Sequence, residues 1–217
     1  MKSAIAPIAA ASCAFRHRLH QHPELSGQEF STRDAVVAEL TRLGLTPRTF
    51  ADHTGVVAVL PAAAGGTGRG LALRADMDAL PLRETSGVPW ASRIEGVMHA
   101  CGHDGHTAML LAAARCLADS RDFDGTVYVI FQPAEEGHGG AKAMIDDGLF
   151  ERFPMNAVFG MHNWPGMPVG SFGVTPGPMM ASSNTFGIHV EGKGAHGGMP
   201  NLGADPVIAA VQIVQAL

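Results

Sequence analysis

Apolar and polar positions along this chain follow two periods, and the switch from one to the other marks the elements. Residues 26–44, SGQEFSTRDAVVAELTRLG, place Val36, Val37, Leu40 and Leu43 at the spacing of one helix face. Gly44 follows where a closing left-handed residue is needed, so the pattern predicts a surface helix that ends there. Four short runs rich in β-formers come next: GVVAVL (55–60), GLALRA (70–75), TVYVIF (126–131) and AVFGMH (157–162). Their apolar residues are almost uninterrupted, the pattern of strands covered on both faces. HTAMLLAAARCLADS (106–120), alanine-rich and apolar on most sides, predicts a well-buried helix between the second and third runs. GGAKAMIDDGLF (139–150) predicts a shorter helix between the third and fourth.

Strands alternating with helices predict an α/β fold, a mostly parallel sheet flanked by helices. AAAGGTGRG (62–70) reads as a turn or flexible loop, because it lacks the lysine and the serine or threonine of a phosphate loop. Between residues 165 and 181 the chain turns dense in proline and glycine, PGMPVGSFGVTPGPMMA. A boundary is therefore expected, with residues 1–181 as one domain and 182–217 as the start of a smaller α+β one. TFGIHVEG (185–192) alternates like a half-exposed strand, and DPVIAAVQIVQAL (205–217) begins an apolar helix. One strand and one helix cannot close a domain, so the chain is expected to be part of a longer polypeptide.

Composition narrows the function. Hydrophobic residues make up 46% and charged residues 16%, which suits a globular chain rather than a disordered one. The net charge of −5, with no basic stripe, gives no footprint for nucleic acid or an anionic membrane and leaves a small molecule or peptide as the expected substrate. No apolar run approaches the ~20 residues that span a bilayer. Lys2 and the small-residue stretch AIAPIAAASCA (4–14) have the features of a short signal peptide. Pro7 and the polar FRHRLHQHPELS (15–26) favour instead the start of an amphipathic helix. Cys13, Cys101 and Cys116 are odd in number and widely spaced, which fits a reducing compartment, the cytoplasm.

The densest chemistry is MHACGHDGHT (98–107), with three histidines, a cysteine and an aspartate in ten positions. It reads as a metal site, as a cysteine nucleophile beside its base, or as a crowded polar turn. In an open parallel sheet, ligands bind beyond the carboxyl ends of the strands. GLALRA runs into Asp76 and Asp78, TVYVIF into Glu135 and Glu136, and AVFGM into His162, while Cys101 and His103 precede the buried helix. Cys101, His103, Glu136 and His162 are therefore expected to converge on one crevice. Imidazole, thiolate and carboxylate together suit zinc, manganese, cobalt or nickel over calcium or magnesium. Gly102 lets the backbone turn both flanking side chains to one centre. Of the carboxylate pair, one would hold metal while the other accepts a proton from the attacking water. The competing chemistry, Cys101 as a nucleophile activated by His99 or His103, leaves Glu135, Glu136 and His162 unexplained. On the blandest reading the thiol is buried, the histidine sits at a helix start, and AEEG is a solvated loop.

These residues stand in seven stretches: RHRLHQHPELSGQE (16–29), TGVVAVL (54–60), LALRADMDALPLRE (71–84), MHACGHDGHTAMLLAAA (98–114), VIFQPAEEGHGGAKAMIDDGLF (129–150), GMHNWPGMPVGSF (160–172) and GKGAHGGMPNLGADPVIAA (192–210). In content and order they resemble the M20 metallopeptidase family. The likeness is to its amidohydrolase branch, which includes hippurate hydrolases, indole-3-acetyl-amino-acid hydrolases and N-acyl amino acid deacylases. The resemblance implies a zinc-peptidase-like catalytic domain followed by the start of a lid and dimerisation domain. It implies metal-dependent cleavage of the amide bond of a small-molecule N-acyl amino acid, with two divalent ions of manganese, zinc, cobalt or nickel. Cys101, His103, Glu136 and His162 would be ligands, Glu135 the general base that also protonates the leaving amine, and Asp78 the carboxylate that orients the centre. His196, in GKGAHGGMP, would stabilise the oxyanion, in many members from the partner subunit, within a homodimer or higher oligomer of the full-length protein.

His106 reads as a structural hydrogen-bonding residue at the helix start, and His99 and His138 receive no assignment. His17, His20 and His22 belong to a family-typical stretch but are not ligands. Full-length members complete the lid and return to the catalytic domain with a final histidine ligand, which this chain lacks. The alternative expectation is a truncated chain that binds metal or a partner without turnover.

Overall fold

The computed structural model describes every residue except 1, 65, 67 and 183, with side chains from residue 5 onward. Gly65 and Thr67, in the loop expected over 62–70, thus lie outside the described residues. Two compact units result, Met1–Gly166 and Met167–Leu217, and the proline- and glycine-rich segment 165–181 lies across their division.

The first unit contains helices α1 (Lys2–Gln21), α2 (Phe30–Arg42), α3 (His103–Ser120), α4 (Gly140–Asp146) and α5 (Leu149–Arg152). Its strands are β1 (Arg48–Thr49), β2 (Val56–Pro61), β3 (Gly70–Asp76), β4 (Thr126–Gln132) and β5 (Ala157–Gly160), in the sheet order β1-β2-β4-β3-β5. β3 is parallel to both β4 and β5, β2 is antiparallel to β4, and β1 is antiparallel to β2. All strands but β2 therefore point the same way, an α/β sheet as the alternation predicts.

The uninterrupted apolar runs have a direct cause in β4. Val127, Val129 and Phe131 pack with Phe15, Leu19, Val36, Leu40, Leu111 and Ala114 of α1, α2 and α3. Tyr128 and Ile130 face the other way, against Met144, Leu149 and Phe153 of α4, α5 and the residue that follows. Each large side chain so buried contributes roughly 1.5–3 kcal/mol. β5 departs from the expectation: it lies at the sheet edge, with Val158 45% and Phe159 57% exposed.

The N-terminal stretch is one helix through Pro7, and the polar residues after it continue the same helix to Gln21. α2 closes as its sequence predicts: Gly44 has φ +75°, and its N–H donates to the Thr41 carbonyl. The segment 139–150 forms two short helices rather than one, because Gly148 at φ +79° turns the chain between them.

The second unit holds a 3-10 turn (Pro200–Leu202), an isolated bridge between Lys193 and Ala204, and α6 (Pro206–Ala216). Asp205 caps α6 by accepting from the Val207 N–H at 2.8 Å, with Pro206 in the first helical position. The strand expected over 185–192 is not formed. Alternating side chains select a face, but a strand also needs a hydrogen-bonding neighbour, and among the described residues none of these has one. Among the described residues no helix is long and apolar enough to cross a membrane.

Candidate metal centre

Because β3, β4 and β5 are parallel, their carboxyl ends open on one side of the sheet. Asp76 ends β3 and Asp78 follows it, Glu135 and Glu136 follow β4, and His162 follows β5. The segment before α3 enters the same place. Gly102 has φ +95°, a conformation that glycine adopts freely, and a Cβ there would collide with the Asn163 amide. This turn carries Cys101 and His103 side by side.

His103 is the centre of the arrangement. It is fully buried, and its Nδ1 lies 3.1 Å from Asp78 Oδ1. Its Nε2 is buried without a hydrogen-bond partner among the described residues. Around that nitrogen stand Asp76 Oδ1 at 3.7 Å, Glu136 Oε1 at 3.8 Å and Glu135 Oε2 at 3.9 Å. These separations exceed a hydrogen bond. They match two ligands sharing an ion at about 2.0–2.3 Å from each. Burial works against charge on the ring, yet the hydrogen bond to Asp78 and the charges of Asp76, Asp78 and Glu136 raise its pKa. The pocket thus carries surplus negative charge at a ring that already gives its Nδ1 proton to a carboxylate, an arrangement that suits a cation on Nε2.

Asp78 joins the two sides of the centre. Burial would raise its pKa, but the hydrogen bonds from His103, the Glu136 N–H, Ser26 and the Glu135 N–H outweigh burial and hold it well below the usual carboxylate range. Its Oδ2 accepts from Ser26 Oγ at 2.7 Å and from the Glu136 N–H at 3.0 Å. One carboxylate therefore orients both the histidine and the loop that bears the two glutamates.

Cys101 Sγ lies 3.4 Å from His162 Nε2, and the other nitrogen of that ring donates to the Asn163 carbonyl at 2.6 Å. Cys101, His103 and His162 form a group whose ligand atoms lie within 4.8 Å of one another, as do His103, Glu135 and Glu136. Burial, and then the neighbouring Glu136 carboxylate, push the Cys101 thiol up to about 12. Without a cation it is a thiol at neutral pH, which argues against a free nucleophile. A metal would reverse that balance by binding the thiolate.

His106 belongs to a third such group with Asp76 and His103, but both its ring nitrogens are engaged. Nδ1 meets Asp76 Oδ1 at 2.6 Å, and Nε2 accepts from the Asn163 N–H at 3.0 Å. These bonds tie β3 to the segment bearing His162. Asn163 and Glu29, which holds the Ala134 N–H at 2.8 Å, are contributors that the motif reading passes over. His196 lies in the second unit, exposed, with Nδ1 accepting from the Gly198 N–H at 3.1 Å. His138 is exposed, and His99 is buried with both nitrogens unpartnered among the described residues. His20 bridges Asp104 at 2.9 Å and Glu84 at 3.2 Å, and His17 stacks on Trp90. His22 is exposed and bonds to the Arg18 carbonyl.

The sequence profile of peptidase family M20/M25/M40 matches residues 72–216. Over 205 residues the chain is 49% identical to a hippurate hydrolase of Campylobacter jejuni, covering 93% of this chain and 52% of that protein. Over 203 residues it is 46% identical to an N-acetyl-L-cysteine deacetylase of Bacillus subtilis, covering 93% and 48%. A dinuclear metal-binding M20 peptidase of Bacillus subtilis superposes with a TM-score of 0.74 at 39% identity, covering 79% of this chain and 48% of that one. The chain spans about half the length of the curated relatives it matches. With a profile match across more than half of its residues, the chain belongs to peptidase family M20/M25/M40.

Proposed function

We propose that this chain carries the metal-holding part of an amidohydrolase that cleaves N-acyl amino acids to a carboxylic acid and a free amino acid. The observation that carries the reading is the buried, unpartnered Nε2 of His103 facing three carboxylates and flanked by the Cys101–His162 pair. Two of the relatives are named for N-acylated amino acids, hippurate and N-acetyl-L-cysteine, which supports the substrate class. The mixed donor set suits two divalent ions drawn from manganese, zinc, cobalt and nickel. The likeness to a dinuclear metal-binding peptidase supports the number.

Cys101, His103, Glu136 and His162 would hold the ions. When bound, these polarise the scissile carbonyl and lower the pKa of water toward neutrality. Glu136 is assigned as ligand because its side chain is 25% exposed against 42% for Glu135, and because it hydrogen-bonds the Cys101 thiol. Glu135, more open to the crevice, takes a proton from the attacking water and returns it to the leaving nitrogen. Asp78 keeps the Nδ1 proton on His103 and so leaves Nε2 free to donate its lone pair. His196 has Nδ1 engaged as an acceptor, which puts the ring proton on Nε2, where it can donate to an oxyanion across a subunit contact. Exposed Val207, Ile208, Val211 and Val214 of α6 support such a contact in a homodimer or higher oligomer. The three free cysteines support a cytoplasmic setting.

The test compares the 217-residue chain with a version extended to the length of its relatives. Both are assayed on N-benzoylglycine and N-acetyl amino acids with manganese or zinc, and with a chelator as control. Chelator-sensitive release of amino acid by the extended protein is expected. Absence of turnover in both chains, or turnover that a chelator leaves intact, overturns the reading. Coverage of only half of the relatives favours a second reading for the short chain, metal binding without turnover, which the same assay separates.

A further inference from the structure

Glu29 is fully buried and stands at the N-cap position of α2, yet its side chain makes no cap bond there. The Ser31 and Thr32 amides at that helix start are taken by Glu24 instead, at 3.0 and 2.8 Å. Glu29 reaches across the fold. Its Oε1 accepts from the Ala134 N–H at 2.8 Å and the Gly27 N–H at 3.0 Å, and its Oε2 accepts from Thr54 Oγ1 at 2.5 Å. A carboxylate this deep is tolerated only with such donors.

Ala134 has φ +49°, a left-handed conformation uncommon for a residue with a side chain. The next two amides, of Glu135 and Glu136, hydrogen-bond the Asp78 carboxylate. Three successive N–H groups are thus held by two buried carboxylates, and the chain can meet both only by turning sharply at Ala134. The Gly140 N–H closes the turn on the Ala134 carbonyl at 3.0 Å. We propose that Glu29 is a positioning residue, whose grip on Ala134 holds the left-handed turn and thereby aims Glu135 and Glu136 at His103. The inference rests on the metal-hydrolase reading for its purpose, but the grip itself exists without metal.

The test uses the 217-residue chain and two readouts, manganese affinity by isothermal titration and hydrogen exchange of the Ala134 amide in metal-free protein. Glu29→Met keeps the bulk and removes both acceptors. It is expected to weaken manganese binding by about tenfold or more and to speed Ala134 exchange, with the circular dichroism spectrum retained. Glu29→Gln keeps an acceptor for both amides and should stay close to wild type. Adding Ala134→Gly to Glu29→Met should restore much of the affinity, because glycine adopts the left-handed turn without the strain that a Cβ brings. A general loss of packing would not be repaired that way. Wild-type affinity and protection in Glu29→Met, or no recovery with Ala134→Gly, overturns the proposal. If Glu29→Met does not fold, Thr54→Val removes one anchor of the same carboxylate; faster Ala134 exchange supports the proposal and unchanged exchange overturns it. If wild type binds no manganese, the exchange comparison alone decides the role of Glu29.

Discussion

Asp78 serves several groups, since it accepts from a histidine, a serine and two backbone amides at once. An amide in its place has only one acceptor oxygen, so Asp78→Asn leaves part of this set unsatisfied. The expected result is a 10–100-fold loss of manganese affinity with the fold retained, read by titration. Cys101 gives a second prediction. With its thiol pushed up to about 12, iodoacetamide at pH 8 should modify exposed Cys13 and Cys116 well before Cys101 in metal-free protein, as read by peptide mass spectrometry. Fast labelling of Cys101 would revive the nucleophile reading. His99 is a third. Burial first, opposed by the Asp104 charge, pushes its pKa from 6.5 down to about 4. Between those values the unfolded chain binds a proton that the folded chain refuses, so stability is full above about 6.5 and declines as pH falls to about 4. The loss reaches about 3 kcal/mol by urea unfolding at pH 7 and 4, and His99→Leu should flatten it.

Single elements show where sequence patterns carry information and where they do not. The hydrophobic runs locate β2, β3 and β4, and the alanine-rich stretch locates α3, because burial leaves few polar positions; the fourth run locates β5 although that strand lies exposed at the sheet edge. They do not give the order β1-β2-β4-β3-β5 or the reversal of β2, because a pattern records which face is covered and not which strand lies alongside. Residues 185–192 fail for that reason: the alternation is present, and no partner strand lies alongside among the described residues. The site follows the same division. Asp78, Glu135, Glu136 and His162 are legible because they stand at strand ends, while Glu29, Asp104 and Asn163 act on partners 105, 84 and 57 positions away. No local spacing signals such pairs. β5 yields a prediction of its own. An edge strand with Phe159 and Val158 exposed is a template for another strand, so the purified chain should self-associate and Phe159→Lys should reduce this in light scattering.

At the scale of the molecule, the candidate centre draws on five separate segments of the first unit: Ser26 and Glu29, Asp76 and Asp78, Cys101 to His106, Ala134 to Glu136, and His162. The scaffold supplies a common opening for three parallel strands, and two buried carboxylates, Asp78 and Glu29, fix the loop that crosses it. His196 lies in the second unit. Glu29 and Ala134 are 105 residues apart, and this distance sets a timetable during synthesis. At about 5–20 residues per second, the carboxylate is synthesised roughly 5–20 seconds before its amide partner. Until then Thr54 and the backbone of its own loop are the partners within reach. The glutamate loop is therefore shaped late, on a platform that is already waiting for it, and a nascent chain released before Ala134 emerges would carry an acid it cannot bury.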